Sequence, residues 1–128
     1  EARQAVALGI DGLIVSNHGG RQLDGAISSF EALPGIVAAV RPGHPSLPIL
    51  IDGGIRRGTD LVKALAMGAS AGLIGRPQLW GLAVAGEAGV AQVLDIYRRE
   101  IDRAMGLLGA SRIGELGPDL LADAPPAR

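Results

Sequence analysis

The chain has no cysteine. Disulfides, thiolate metal sites and cysteine nucleophiles are therefore excluded, while the redox compartment stays open. Net charge is also scarce: 12 basic against 13 acidic residues leave −1 over 128 residues. That balance offers no electrostatic footprint for nucleic acid or an anionic membrane. No uncharged apolar run approaches the roughly 18 residues that a membrane-spanning helix needs. The first residues, from Glu1, read as the interior of a helix rather than as a signal peptide. The expectation is that the sequence is a piece of a longer chain. What the chain does have is apolar content: 48% hydrophobic against 20% charged residues, enough for one domain with a modest core. Disorder does not fit that composition.

The pattern along the chain alternates. Ala5 to Leu8 fits the last turn of a helix, with Gly9 as its C-terminal cap. Leu13-Ile14-Val15 reads as a buried strand. Ser28-Ser29-Phe30-Glu31 matches a capping box, in which the Ser28 hydroxyl accepts from a first-turn amide and Glu31 reaches back. A helix should follow through Ile36, Val37 and Val40, with Pro34 within or just past its first turn. Arg41 to Pro48 is a proline-rich loop, and Ile49-Leu50-Ile51 is a second buried strand. Gly58-Thr59-Asp60 is placed to cap a helix from Leu61 to Met67 that ends at Gly68. Ala71 to Ile74 is a third strand. From about Glu87 to Leu108 the apolar residues Val90, Val93, Leu94, Tyr97, Ile101, Ala104 and Leu108 recur at helical spacing, and Gly109 ends the helix. Residues 122–128 read as a flexible tail, leaving 1–121 as the folded part.

Apolar strands separated by helices argue for an α/β protein with a parallel sheet covered by helices. A doubly wound sheet and a (β/α)8 barrel both fit. Three strands cannot close a barrel, which takes about 250 residues, so on the barrel reading this chain is roughly half of one.

Each strand is followed at once by its least ordinary residues. After the first comes Ser16-Asn17-His18-Gly19-Gly20-Arg21-Gln22-Leu23-Asp24. After the second comes Asp52-Gly53-Gly54-Ile55-Arg56-Arg57-Gly58, and after the third Gly75-Arg76-Pro77. All three sets sit at carboxyl ends of parallel strands, where active sites lie in barrels and open α/β sheets. The second and third suit a phosphate. Paired glycines let backbone amides approach an anion, the helix starting near Thr59 aims its positive end at the same loop, and Arg56 and Arg76 add forked, charge-assisted hydrogen bonds. Tight-turn glycines and solvent-facing arginines are the plain alternative. The first set suits proton chemistry. His18 carries an imidazole that exchanges protons near neutral pH, and Arg21 can clamp a carboxylate. A histidine merely satisfied by nearby backbone is the alternative there. His44, in the proline-rich loop, reads as a surface residue.

The string from Ser16 to Asp24 closely resembles the signature of the FMN-dependent α-hydroxy acid dehydrogenases and oxidases, the family of glycolate oxidase, lactate oxidase, lactate monooxygenase, flavocytochrome b2 and mandelate dehydrogenase. Asp52 to Asp60 resembles that family's flavin-phosphate loop, and Gly75-Arg76-Pro77 its companion after the last strand. The resemblance runs from Glu1 to about Leu121. It implies a (β/α)8 TIM barrel, of which this chain is similar to units 6 to 8. It implies FMN as cofactor, oxidation of a small 2-hydroxy acid such as lactate or glycolate to the 2-oxo acid, and oxygen, a quinone or a cytochrome as electron acceptor. It further implies a homo-oligomeric full-length form, cytoplasmic or peripheral to a membrane, with no metal. In the site, His18 is implied as the base, Arg21 as the partner of the substrate carboxylate, Ser16 as a flavin contact and Asp52 as the holder of the ribityl chain. Gly53, Gly54, Ile55, Arg56, Gly75 and Arg76 are implied around the cofactor, most of them at its phosphate.

The chain departs from the family by lacking its first five barrel units. With them go a lysine near the flavin ring, the tyrosines and second arginine that help bind substrate, and the aspartate that orients the histidine. Tyr97 cannot replace those tyrosines, because it lies on the last helix. Two other readings stand beside the oxidoreductase: a non-catalytic phosphate-binding or assembly fragment, and a different phosphate-handling barrel enzyme, against which the histidine string argues.

Overall fold

The computed structural model describes residues 1–122. The tail expected from Ala122 onward therefore lies almost wholly outside the described residues. The elements run α1 (Ala2–Ala7), β1 (Leu13–Val15), α2 (Ser29–Val40), β2 (Ile49–Asp52), α3 (Gly58–Ala66), β3 (Ala71–Leu73) and α4 (Pro77–Leu108). Short 3₁₀ turns cover His18–Gly20, Ile113–Glu115 and Pro118–Leu120.

The strands form one parallel sheet in the order β1-β2-β3, with Ile14 opposite Leu50 and Leu50 opposite Ala71. Alternation along the strands divides the side chains between two faces. Val15, Ile49 and Ile51 are buried together with Leu33 and Val40 of α2 and Ala64 of α3. The opposite face carries Ile14, 60% exposed, and Leu73, 40% exposed. Sequential strand order with its helices on a single face is the arrangement of a barrel wall. A doubly wound sheet reverses its strand order and covers both faces. One sequence expectation needs correction here. Only β2 is a buried strand, because β1 and β3 are edges. Leu13 and Val15 face the helices, whereas Ile14, Leu50, Asp52 and Leu73 share the uncovered face.

Local chemistry explains the boundaries. The capping box of α2 forms as expected: the Ser28 hydroxyl accepts from the Glu31 amide at 3.2 Å, and Glu31 accepts from the Ser28 amide at 3.1 Å. Pro34 sits in the body of α2, beyond the first turn, so it does remove one backbone hydrogen bond. Helix α3 starts earlier than the sequence suggested. Its N-cap is Arg57, and Asp60 caps backward, accepting from the Arg56 and Arg57 amides at 3.0 Å each. The Arg41 guanidinium ties the loops behind the sheet together, donating to the carbonyls of Pro45, Leu47 and Gly68.

Helix α4 also starts earlier than its apolar spacing indicated. It begins at Pro77, right after the third strand, and breaks at Ala85 (φ −147°) and Gly86 (φ 57°). Eight residues of straight helix advance about 12 Å. Gly81 and Gly89 nonetheless lie so close that a Cβ on either would overlap the other's carbonyl. The chain therefore folds back on itself here, and the two glycines permit it. By length and composition alone α4 passes as a membrane-spanning helix, but the break makes it two shorter limbs. The second limb packs on α3 through Tyr97 and Ile101, and Leu116 closes a smaller cluster with Val62 and Ala66.

Candidate functional site

The loops after the three strands meet in one pocket of about 270 Å³. His18 and Arg21 come from the first loop, Gly53, Gly54 and Arg56 from the second, and Gly75 and Arg76 from the third. None of its lining residues is acidic, so its local charge is strongly positive although the chain as a whole is near neutral. The field in a cleft follows its own walls rather than the net charge.

Backbone conformation shapes the first loop. His18 has φ 56° and is the one non-glycine residue with positive φ among the described residues. Gly19 and Gly20 continue the left-handed run at 62° and 71°. A side-chain-bearing residue held there stores strain of the order of 1–3 kcal/mol. The Ser16 hydroxyl supports the turn by accepting from the His18 amide at 3.0 Å. Gln22 Nε2 lies 3.3 Å from His18 Nδ1. With the amide nitrogen donating, Nδ1 accepts and the neutral ring carries its hydrogen on Nε2; the amide oxygen in that place would reverse the two.

The second loop is pinned from outside. The Tyr97 hydroxyl donates to the Ile55 carbonyl at 3.0 Å. Glu100 accepts from Arg57 Nη2 at 2.9 Å and from the Gly58 amide at 2.7 Å. The Arg57 guanidinium, followed by the Gly58 amide, holds the Glu100 carboxyl below the usual carboxylate range. Burial pushes the Tyr97 phenol up, and the charges of Asp60 and Glu100 add to the shift. These contacts overturn one expectation. The amides of Arg56, Arg57 and Gly58 at the start of α3 are already taken by Asp60 and Glu100, so these three donors are not offered to an anion. The helix end beside the pocket is that of α4, whose Pro77, Leu79 and Trp80 line it.

Two expected site residues, Ser16 and Asp52, lie outside this pocket. Ile55 lines the pocket although it is only 4% exposed and packs in the core. Ser16 lines a separate open groove along the free edge of β1. Asp52 lies at the end of β2 on the uncovered face and does not line the pocket. Its Oδ1 is out of solvent with no hydrogen-bond partner, a condition that costs about 1–3 kcal/mol unless a donor arrives. Leu79 and Trp80 were not legible as site residues, because the glycines at 81, 86 and 89 interrupt the helical pattern around them. Proline at the first helical position, right after Gly75-Arg76, was the available signal. His44 is on the surface, as expected, and Tyr97 is buried away from the pocket.

The sequence matches the family described as FMN-dependent dehydrogenase over residues 1–123. It is 54% identical over 121 residues to an L-lactate oxidase of Nostoc sp., covering 94% of this chain and 32% of that protein. Among solved structures it is similar to a monotopic membrane protein, (S)-mandelate dehydrogenase, with TM-score 0.88 and 50% identity over 96% of this chain and 32% of that one. It is also similar to a mandelate oxidase variant with a monooxide FMN adduct, with TM-score 0.82 and 53% identity over 88% of this chain and 35% of that one. The chain thus spans about a third of the length of the relatives it matches. By that match across its length, and by a strand-end pocket that gathers the histidine and arginines of its three loops, the chain belongs to the FMN-dependent dehydrogenase family.

Proposed function

We propose that this chain is the C-terminal part, barrel units 6 to 8, of a flavoenzyme that oxidises a small 2-hydroxy acid to the 2-oxo acid. The observation that carries the proposal is the convergence of His18, Arg21, Arg56 and Arg76 on one pocket without an acidic lining residue. The residues fit FMN. The left-handed glycines at 53 and 54 (φ 83° and 81°) keep side chains off the loop, two arginines offer forked donors for a phosphate, and the orphaned Asp52 carboxylate oxygen suits a ribityl hydroxyl. Bound FMN supplies the two-electron acceptor for the substrate carbon.

The chain's own residues would do the rest. Arg21 binds the substrate carboxylate through its planar fork and fixes the hydroxy acid's orientation. For His18 to receive a proton from the hydroxy acid at Nε2, Nδ1 must carry the ring hydrogen, which requires the Gln22 amide to turn its oxygen toward Nδ1. Arg56 and Arg76 would hold the phosphate of the cofactor through forked, charge-assisted hydrogen bonds. The substrate side chain, the electron acceptor (oxygen, a quinone or a cytochrome), the oligomeric state and attachment to a membrane would be set by the remainder of the protein. The monotopic (S)-mandelate dehydrogenase is the relative that favours membrane attachment.

Visible spectroscopy of the purified full-length protein tests the reading. Flavin absorbance that co-elutes with the protein and bleaches on adding lactate, glycolate or mandelate without oxygen is expected. Failure to take up FMN, even when it is supplied in excess, would refute the reading.

A further inference from the structure

Resting on the flavin reading above, we propose that Glu100 is a positioning residue for the phosphate loop, selecting Arg56 rather than Arg57 as the loop's guanidinium for the anion. The two arginines are adjacent and chemically identical, and either could face a phosphate. The structure separates them. Arg57 is drawn out of the pocket onto α4, where its Nε and Nη2 both donate to Glu100 Oε1, at 3.2 and 2.9 Å. Arg56 lines the pocket and has no side-chain partner among the described residues.

The same carboxylate fixes the backbone. Glu100 Oε2 accepts from the Gly58 amide at 2.7 Å, one helical turn from Tyr97, whose hydroxyl holds the Ile55 carbonyl. Asp60 takes the two amides between them. Residues 55–58 are thus tied at every position while the Arg56 side chain is left free. The contact with α4 tolerates no side chain at residue 58, where a Cβ would lie 2.6 Å from Glu100 Cβ and 2.7 Å from the Tyr97 carbonyl oxygen. A loop fixed in this way presents Arg56 to a phosphate without having to order its backbone first, which is the general advantage of preorganisation. Removing Glu100 frees Arg57, unmasks the start of α3 and lets the loop drift from α4.

The test is the preference for FMN over riboflavin, which differ only by the phosphate, measured by flavin fluorescence quenching on the full-length apoprotein. Glu100→Ala should weaken FMN binding at least about tenfold, as expected for misplacing a charge-assisted contact, with riboflavin binding changed less than about twofold. A role in general stability would move both ligands together or neither, and that result would overturn the proposal. The arginines give an independent comparison should Glu100→Ala fold poorly. Arg56→Ala should collapse the preference, while Arg57→Ala, with Gly58 still held by Glu100, should leave most of it. Equal losses at the two arginines would also overturn the proposal. A wild-type protein with no preference for FMN would refute the flavin reading itself. A preference retained in Glu100→Ala, or lost equally in both arginine variants, would refute only the role of Glu100.

Discussion

Gly58→Ala is a small change with a large expected effect, and the structure says why. The new methyl group would meet Glu100 Cβ at 2.6 Å, the Tyr97 carbonyl oxygen at 2.7 Å and the Ile101 amide nitrogen at 2.8 Å. Two of those atoms are helix backbone and cannot swing away. The protein then has two ways to respond. It can bear the overlap, at the roughly 1–3 kcal/mol of overpacking. Or α3 can back away from α4 and lose the amide bond to an ionised carboxylate, worth about 1.5–3 kcal/mol. In either case the alanine returns about 0.4–1 kcal/mol through the less flexible unfolded chain. The net expectation is a loss of about 1–2 kcal/mol. Gly106→Ala supplies the control, because it is the same substitution in α4 with open space around the added methyl. It should stabilise by about 0.5–1 kcal/mol. Urea unfolding of the two variants beside the wild type decides the matter. A Gly58→Ala protein as stable as the wild type would refute the argument that α3 and α4 touch at this glycine.

His18→Gln should cut turnover by at least about a hundredfold, the usual contribution of a general base, while flavin absorbance stays with the protein; anaerobic reduction by substrate reads the first and gel filtration the second. Acid should destabilise the fold through Glu31, Glu100 and Glu115, whose carboxyls are held low chiefly by the Ser28 hydroxyl, by Arg57 and by the Ser111 amide respectively. Folded-state values below the unfolded one mean that their stabilisation is present above the ordinary carboxylate pKa of about 4.3 and fades as pH falls below it. Circular dichroism against pH should show this, with a flatter acid limb in Glu100→Gln. The 128-residue chain by itself should self-associate, because Ile14 and Leu73 are exposed on the uncovered face and both sheet edges are open. A compact monomer by light scattering would contradict that.

Much of this was legible in the sequence because the signals were local. Leu13-Ile14-Val15 and Ile49-Leu50-Ile51 mark strands by composition, and Ser28 with Glu31 marks the start of α2 by a hydrogen-bond pattern that spans only three residues. That His18, Arg21, Arg56 and Arg76 share one pocket was legible because strand ends are where parallel sheets expose their loops. What escaped was set by contacts distant in sequence. Whether a strand residue faces helix or open space depends on the neighbouring strands, so a uniformly apolar run such as Leu13-Ile14-Val15 does not say which of its residues face inward. The Gly58 amide at the start of α3 is held by Glu100, 42 residues away, and the first limb of α4 was hidden by glycines whose backbone crossing is visible only in three dimensions. Ile55 belongs to both site and core, lining the pocket while packing among the buried residues.

The misread helix end carries the more general point. A glycine-rich loop leading into a helix looks like an anion site whichever helix follows it, since every helix begins with unpaired amides and a positive dipole end. Two such helices begin near this pocket. At α3, Asp60 and Glu100 occupy the amides of residues 56–58 and neutralise the dipole. At α4, proline occupies the first position and no acidic residue lies in the first turn, so the positive end stays uncompensated beside Arg76 and Gly75. An anion entering the pocket is therefore drawn toward the third loop and Arg56, and away from the start of α3. On the proposed flavin reading, carboxylates placed outside the pocket would thereby determine where a phosphate sits within it, an effect that neither a glycine motif nor a count of arginines reveals.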